Sequence, residues 1–299
     1  WQVHASLDMI LFSVMGRWRP MEEFLVALTN YSFLQHALLA GVLASIATGL
    51  VGSYVVVKRI SLISGGIAHS ILGGMGIAYY LGLSPTKGAV VSALVAAVII
   101  GLVSLRARQH EDTVIGALWA VGMAIGILFI SRTPGYNVDL MTFLFGNILM
   151  VSREDLILIG ALDGIIVLII LLFYKQFLAV TFDEQHARLR GLPVEFLYLL
   201  LLMLIALTVV ILIKIVGLIL VIALLTLPPA IAHHYAGNLG HMMVLAVGLS
   251  LLFNTTGLVV SYQLDLPTGA TIVVVAGLAY LVSLLFRNLS SPISRQHSR

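Results

Sequence analysis

Residues 34–57 read LQHALLAGVLASIATGLVGSYVVV, 24 positions without one Asp, Glu, Lys or Arg. A helix of that length reaches about 36 Å, enough to cross the ~30 Å hydrocarbon core of a bilayer. Lys58 and Arg59 come next and mark where the apolar run ends. Eight more apolar runs lie at 64–83, 88–105, 113–130, 155–173, 196–213, 216–231, 242–262 and 268–286. The run at 216–231 is short and ends at Pro228-Pro229, so the count is nine spans, or eight if one segment is re-entrant. No run alternates in the ~10-residue pattern of a membrane β-barrel. The expected fold is all-α and polytopic, with eight or nine transmembrane helices.

Composition agrees. Of 299 residues, 60% are hydrophobic and only 10% charged, against about 25% charged in soluble domains. A soluble enzyme or a disordered chain would carry far more polar mass. The absence of cysteine excludes a disulfide scaffold. A net charge of +3 does not suggest nucleic acid. The expected layout is an N-terminal extension and lead-in at 1–33, a transmembrane domain at 34–286, and a polar tail at 287–299. Residues 1–20 lack the basic start and the cleavage site of a signal peptide, and read as an extension without function.

Lys and Arg set the orientation. With nine spans, one side carries Lys58, Arg59, Arg106, Arg108, Lys175, Arg188, Arg190 and Arg287, which is eight. The other carries Lys87, Arg132, Arg153 and Lys214, which is four. The richer side is expected to face the cytoplasm.

Two connections exceed simple turns. Residues 131–154, on the outer side, contain an apolar centre at 138–146 that suits packing against the membrane. Residues 174–195, on the inner side, hold a short helix with marked ends. Thr181 and Glu184 have capping-box spacing. Asp183 and Glu184 suit the start of a helix dipole, and Arg188 and Arg190 suit its end. Gly191 is a C-cap candidate and Pro193 a stop. Such a helix either receives a soluble partner or only joins two spans.

Ionisable groups inside spans are functional candidates. His69 has Gly65 and Gly73 one turn away on either side, with Gly66, Ser70 and Gly74 as a second small-residue line. Small residues admit neighbouring backbones, or leave space beside the imidazole for an ion. Imidazole ligates first-row transition metals; the alternative is a histidine bonded to a neighbouring backbone. Asp163 could supply a second ligand, line a polar pathway, or make a structural hydrogen bond. His36 stands near the outer end of the first span. Asn254 reads as interhelical glue. His233, His234 and His241 flank a turn, and the adjacent pair points to different helix faces.

No Gly-x-x-x-x-Gly-Lys-Ser/Thr loop appears around any of the four lysines, and no His-Glu-x-x-His or Gly-x-Ser-x-Gly motif either. The chain therefore reads as a transporter and not an enzyme, driven by a gradient or by a separate ATPase.

An ordered series of segments then resembles a known family. It comprises Gly52-Ser53-Tyr54-Val55-Val56-Val57-Lys58-Arg59-Ile60-Ser61 with Ala68-His69-Ser70, Glu111-Asp112-Thr113-Val114-Ile115-Gly116, Val138-Asp139-Leu140 with Phe143-Leu144-Phe145-Gly146-Asn147, and the Asp183-Glu184 helix ending at Gly191. Val216-Gly217 leading to Leu227-Pro228-Pro229-Ala230, and Asp265-Leu266-Pro267-Thr268-Gly269, complete it. The series is similar to the metal-ion class of ATP-binding-cassette importer permeases, which move zinc, manganese or iron. The resemblance implies a dimeric permease, homodimer or heterodimer, in the cytoplasmic (inner) membrane. It also implies a partner ATPase subunit that binds ATP, and an extracytoplasmic solute-binding protein that delivers the metal. It implies no permanently bound cofactor, the divalent metal being cargo. The segment containing Asp183, Glu184, Arg188 and Gly191 would be the coupling helix. His69 would be a metal ligand. The family's aspartate four residues before that histidine is Gly65 here, so Asp163, His36 or Asp139 would have to compensate. Zinc is the first expectation because imidazole suits it. Manganese, chelated iron and a gradient-driven secondary transporter are the alternatives.

Overall fold

The computed structural model describes residues 21–106, 111–133, 146–218 and 220–290. The extension 1–20, the tail 291–299 and most of the apolar outer segment, Asp139 included, lie outside the described residues. Among the described residues there is no strand. The helices are α1 (Met21–Asn30), α2 (Ser32–Lys58), α3 (Ser61–Tyr80), α4 (Pro85–Arg106), α5 (Glu111–Ser131), α6 (Arg153–Phe182), α7 (Glu184–Leu189), α8 (Val194–Val216), α9 (Val221–Tyr235), α10 (Leu239–Leu264) and α11 (Thr268–Ser290). Eight are long and apolar enough to cross a membrane, and α9 is too short to count among them. Its 15 residues extend about 22 Å.

The centre of the bundle is made by α2, α3 and α8, whose apolar windows are the most buried. Helix α10 packs along α2, and α6 packs on α2 and α8. The most extensive pairing is between α3 and α5. It is built on glycine. A Cβ at Gly73 would sit 2.9 Å from the Gly122 carbonyl oxygen, and one at Gly122 would sit 2.6 Å from Ser70 Cα. Small residues let two backbones meet where no apolar driving force separates helix from lipid.

Asn254 bridges α10 to α2 as read from the sequence. Its amide nitrogen donates to the Gly41 carbonyl at 3.1 Å and to Ser45 Oγ at 2.8 Å. His233 is exposed, while its neighbour His234 turns towards Tyr280 and lies 3.4 Å from Ser283 Oγ.

Within the lead-in, residues 21–30 form α1, with Phe24 buried edge-on against Tyr262 at 5.5 Å. One expectation changes. The fifth apolar run does not stop at Phe173. Its helix bends there, with φ −106° and ψ 16°, and continues to Phe182. Phe177 and Val180 explain the continuation, because their i, i+3 spacing buries one stripe while Lys175 is exposed.

Candidate functional site

His69 is in the third turn of α3, near the middle of that 20-residue helix, and only 7% exposed. Its imidazole lies flat on the indole of Trp119 from α5, with centroids 3.9 Å apart and planes 8° apart. The buried Nδ1 has no hydrogen-bond partner among the described residues. Buried polar atoms are nearly always paired, so an unpaired ring nitrogen here is free to bind something else. The space left open at Gly65 is not empty. A Cβ there would come 2.8 Å from Ile222 Cδ1 and 3.6 Å from Trp119 Cζ3.

Trp119 and Ile222 are not among the residues that the sequence singles out. Trp119 did leave a trace. Ile115, Trp119, Gly122 and Gly126 recur at helical spacing, and this is the face of α5 that meets α3. A lone Trp in a long apolar run otherwise looks like any lipid-facing aromatic.

The other candidate ligands stand apart. Asp163 is 3% exposed about a third of the way along α6, and its Oδ1 also lacks a partner among the described residues. However, α6 packs on α2 and α8, whereas α3 packs chiefly on α4 and α5. His69 and Asp163 are thus not on a packed helix pair. His36 is half-buried in the second turn of α2. Asp139 lies outside the described residues. Among the described residues no three His, Asp or Glu side chains gather as a metal-ligand set.

The charged ends of the helices sort as the basic-residue count requires. Lys58, Arg59, Asp112, Glu184 and Arg188 line one cavity of about 720 Å³ at one end of the bundle. At the other end, a cavity of about 230 Å³ is lined by Asn147, Asp155 and Lys214. There Lys214 Nζ meets Asp155 Oδ1 at 2.9 Å. Ser152 and Asp155 form a capping box at the start of α6.

At the basic end, α7 matches the marked helix, with one change of register. Its N-cap is Asp183, not Thr181. Asp183 Oδ1 accepts from the His186 backbone N–H at 2.8 Å, and Thr181 belongs to the last turn of α6. Because α6 continues so far, Asp183 both ends it and starts α7. At the other end Gly191 adopts φ 75°. Its N–H donates to the Arg188 carbonyl at 2.9 Å, and the Leu192 N–H donates to the Ala187 carbonyl at 3.1 Å. Those two bonds make a Schellman motif. Arg188 lies 3.6 Å from Glu195 in an exposed pair.

Residues 30–287 match the model of the ABC 3 transport family. The chain is 48% identical over 267 residues to an uncharacterized membrane protein of Synechocystis sp., covering 89% of this chain and 95% of that protein. It is 36% identical over 272 residues to a manganese transport system membrane protein of Halalkalibacterium halodurans, covering 91% and 93%. Among solved structures, PsaBC from Streptococcus pneumoniae in complex with Fab superposes with a TM-score of 0.81 at 34% identity, covering 89% of this chain and 95% of that one. The chain belongs to the ABC 3 transport family, the metal-ion class of ABC importer permeases, and is a multi-pass transport subunit whose ATPase is a separate chain.

Proposed function

We propose that this permease carries zinc into the cell across the cytoplasmic membrane by ATP-driven alternating access. The observation that carries the reading is the buried, unpartnered Nδ1 of His69 in the middle of α3. A nitrogen donor with glycine, not a carboxylate, at position 65 favours zinc over manganese, which prefers carboxylate, carbonyl and water oxygen. The manganese named for one relative is the competing cargo. Asp163 and His36 serve in this reading as separate stations along the route, and Asp139 stays a candidate donor. A permeating ion must be held weakly enough to leave, which suits donors met in succession better than one closed shell.

A solute-binding protein docks at the end that carries Asp155 and Lys214. The ATPase subunit docks at the basic end on α7, where Asp183, Glu184, Arg188 and Gly191 shape the coupling helix. A second permease, the same chain or a close relative, completes the pathway. The test is uptake of zinc, manganese and iron(II) by the reconstituted complex, in the wild type and His69→Ala. Zinc uptake that depends on His69 is expected. Manganese uptake that outcompetes zinc and survives in His69→Ala overturns the reading.

A further inference from the structure

Lys58 stands in the sequence only as a topology marker, yet its ammonium is a meeting point. The side chain is 8% exposed, and Nζ lies 3.0 Å from Glu184 Oε1, in the first turn of α7. Nζ also donates to the Val180 carbonyl of α6 at 3.2 Å. It stands 5.7 Å above the ring of Tyr198 in α8, within cation–π range. The Tyr198 hydroxyl is in turn 3.0 Å from Ser104 Oγ of α4. One positive charge thus joins the short helix to the ends of α2, α6 and α8.

The corner immediately after Lys58 is stiff. Arg59 adopts φ 58°, a left-handed conformation that a non-glycine residue holds only when its surroundings impose it. Arg59 N–H donates to the Val56 carbonyl at 3.2 Å, and Ile60 N–H donates to the Val55 carbonyl at 3.1 Å. These two residues lead straight into α3, the helix of His69. A tight, doubly bonded corner passes on displacement where a loose loop would absorb it. The ion pair borders the 720 Å³ cavity, which α7 lines through Glu184 and Arg188.

We propose that Lys58 is the positioning residue that transmits movement of α7 to α2 and, through the Arg59 corner, to His69. The ion pair holds α7 to the end of α2, so a pull on α7 by the ATPase shifts the helix that holds the cargo. The ammonium is buried while the Glu184 carboxylate is half-exposed, so loss of the ammonium removes the bonds to Glu184 and to the Val180 carbonyl together and unhooks α7 from α2. The inference rests on α7 being the coupling helix.

The test uses the full complex in proteoliposomes and reads metal ions moved per ATP hydrolysed, with the ATPase subunit quantified in the same preparation. In Lys58→Met the ratio is expected to fall about threefold or more, at unchanged ATPase stoichiometry. Lys58→Arg, whose guanidinium can still reach Glu184, is expected to keep most of the ratio. The exchange Lys58→Glu with Glu184→Lys is expected to recover part of it. A wild-type ratio in Lys58→Met overturns the proposal. So does a loss of uptake proportional to loss of bound ATPase, which would make Lys58 an assembly residue. A cysteine crosslink from position 188 to the ATPase subunit tests the underlying reading by itself. If that crosslink fails in a complex that transports, α7 is not the coupling helix, whatever Lys58 does.

Discussion

The ring of His69 rests on the indole of Trp119 at 3.9 Å, and the two planes are 8° from parallel. The stack is imposed from below. Gly122, three residues after Trp119, brings the α5 backbone against Ser70 of α3, which sets the indole beside the imidazole. The aromatic wall removes rotational freedom from the one nitrogen donor near the middle of α3. It also occupies space that a longer side chain at Gly65 would need.

Trp119→Ala should therefore weaken metal capture without unfolding the bundle. An aromatic stack contributes ~0.5–1.5 kcal/mol beyond burial, so half-saturation for zinc uptake should rise about 2- to 10-fold. Trp119→Phe should keep most of the wild-type behaviour. The three tryptophans are Trp1, Trp18 and Trp119, so a variant with the first two changed to Phe isolates one fluorophore. Zinc should alter its emission, and His69→Ala should remove the response. An unchanged spectrum in a zinc-transporting protein would sink the stack as part of the site.

The glycine seam gives the second prediction. In Gly122→Ala the new methyl would lie 2.6 Å from Ser70 Cα, against backbone and not a yielding side-chain tip. Overpacking of that kind costs about 1–3 kcal/mol, so the melting temperature in detergent should drop clearly. Gly248 has nothing within 4 Å of a built Cβ. Gly248→Ala should be neutral or stabilising by about 0.5–1 kcal/mol through its better helix propensity. Equal effects at the two positions would show that the seam is not a special contact.

Much of the fold was legible because membrane chemistry writes it plainly. Uncharged runs near twenty residues mark spans, and Lys58, Arg59 and Arg188 mark one end. The limits of that legibility are physical too. Hydropathy could not see that the helix passing Phe173 continues, because Phe177 and Val180 bury one stripe of a segment that also carries Lys175 and Gln176. Capping spacing alone points to Thr181, whereas the helix breaks at Asp183. His69 stood out as an ionisable group among apolar ones. Trp119 did not, since an aromatic in a span has no cost to signal it. Lys58 was read for its charge, and only the convergence of three further helices gave it a partner.

The pair between Lys214 and Asp155, 2.9 Å apart, ties the end of α8 to the start of α6. Both side chains are partly exposed, so the pair contributes about 1 kcal/mol or less. Lys214→Met should lower thermal stability by only that amount, and rising salt should narrow the gap between variant and wild type. A loss several times larger, insensitive to salt, would mean that the pair acts as a desolvated one.

The ends of α7 give the last prediction. Asp183→Ala removes the side chain that accepts the His186 N–H, a cap contributing about 0.5–2 kcal/mol. Gly191→Ala keeps the Schellman bonds but forces a side chain into φ 75°, at about 1–2 kcal/mol. A six-residue helix has almost no stability of its own. Either change should therefore speed amide exchange across residues 184–192 while leaving α2 and α8 protected. If α7 receives the ATPase, both variants should also weaken its retention during purification. Asp183→Asn, which can still accept the His186 N–H, should restore exchange and retention together. Recovered exchange protection without recovered retention would assign the Asp183 charge, and not helix order, to the docking contact.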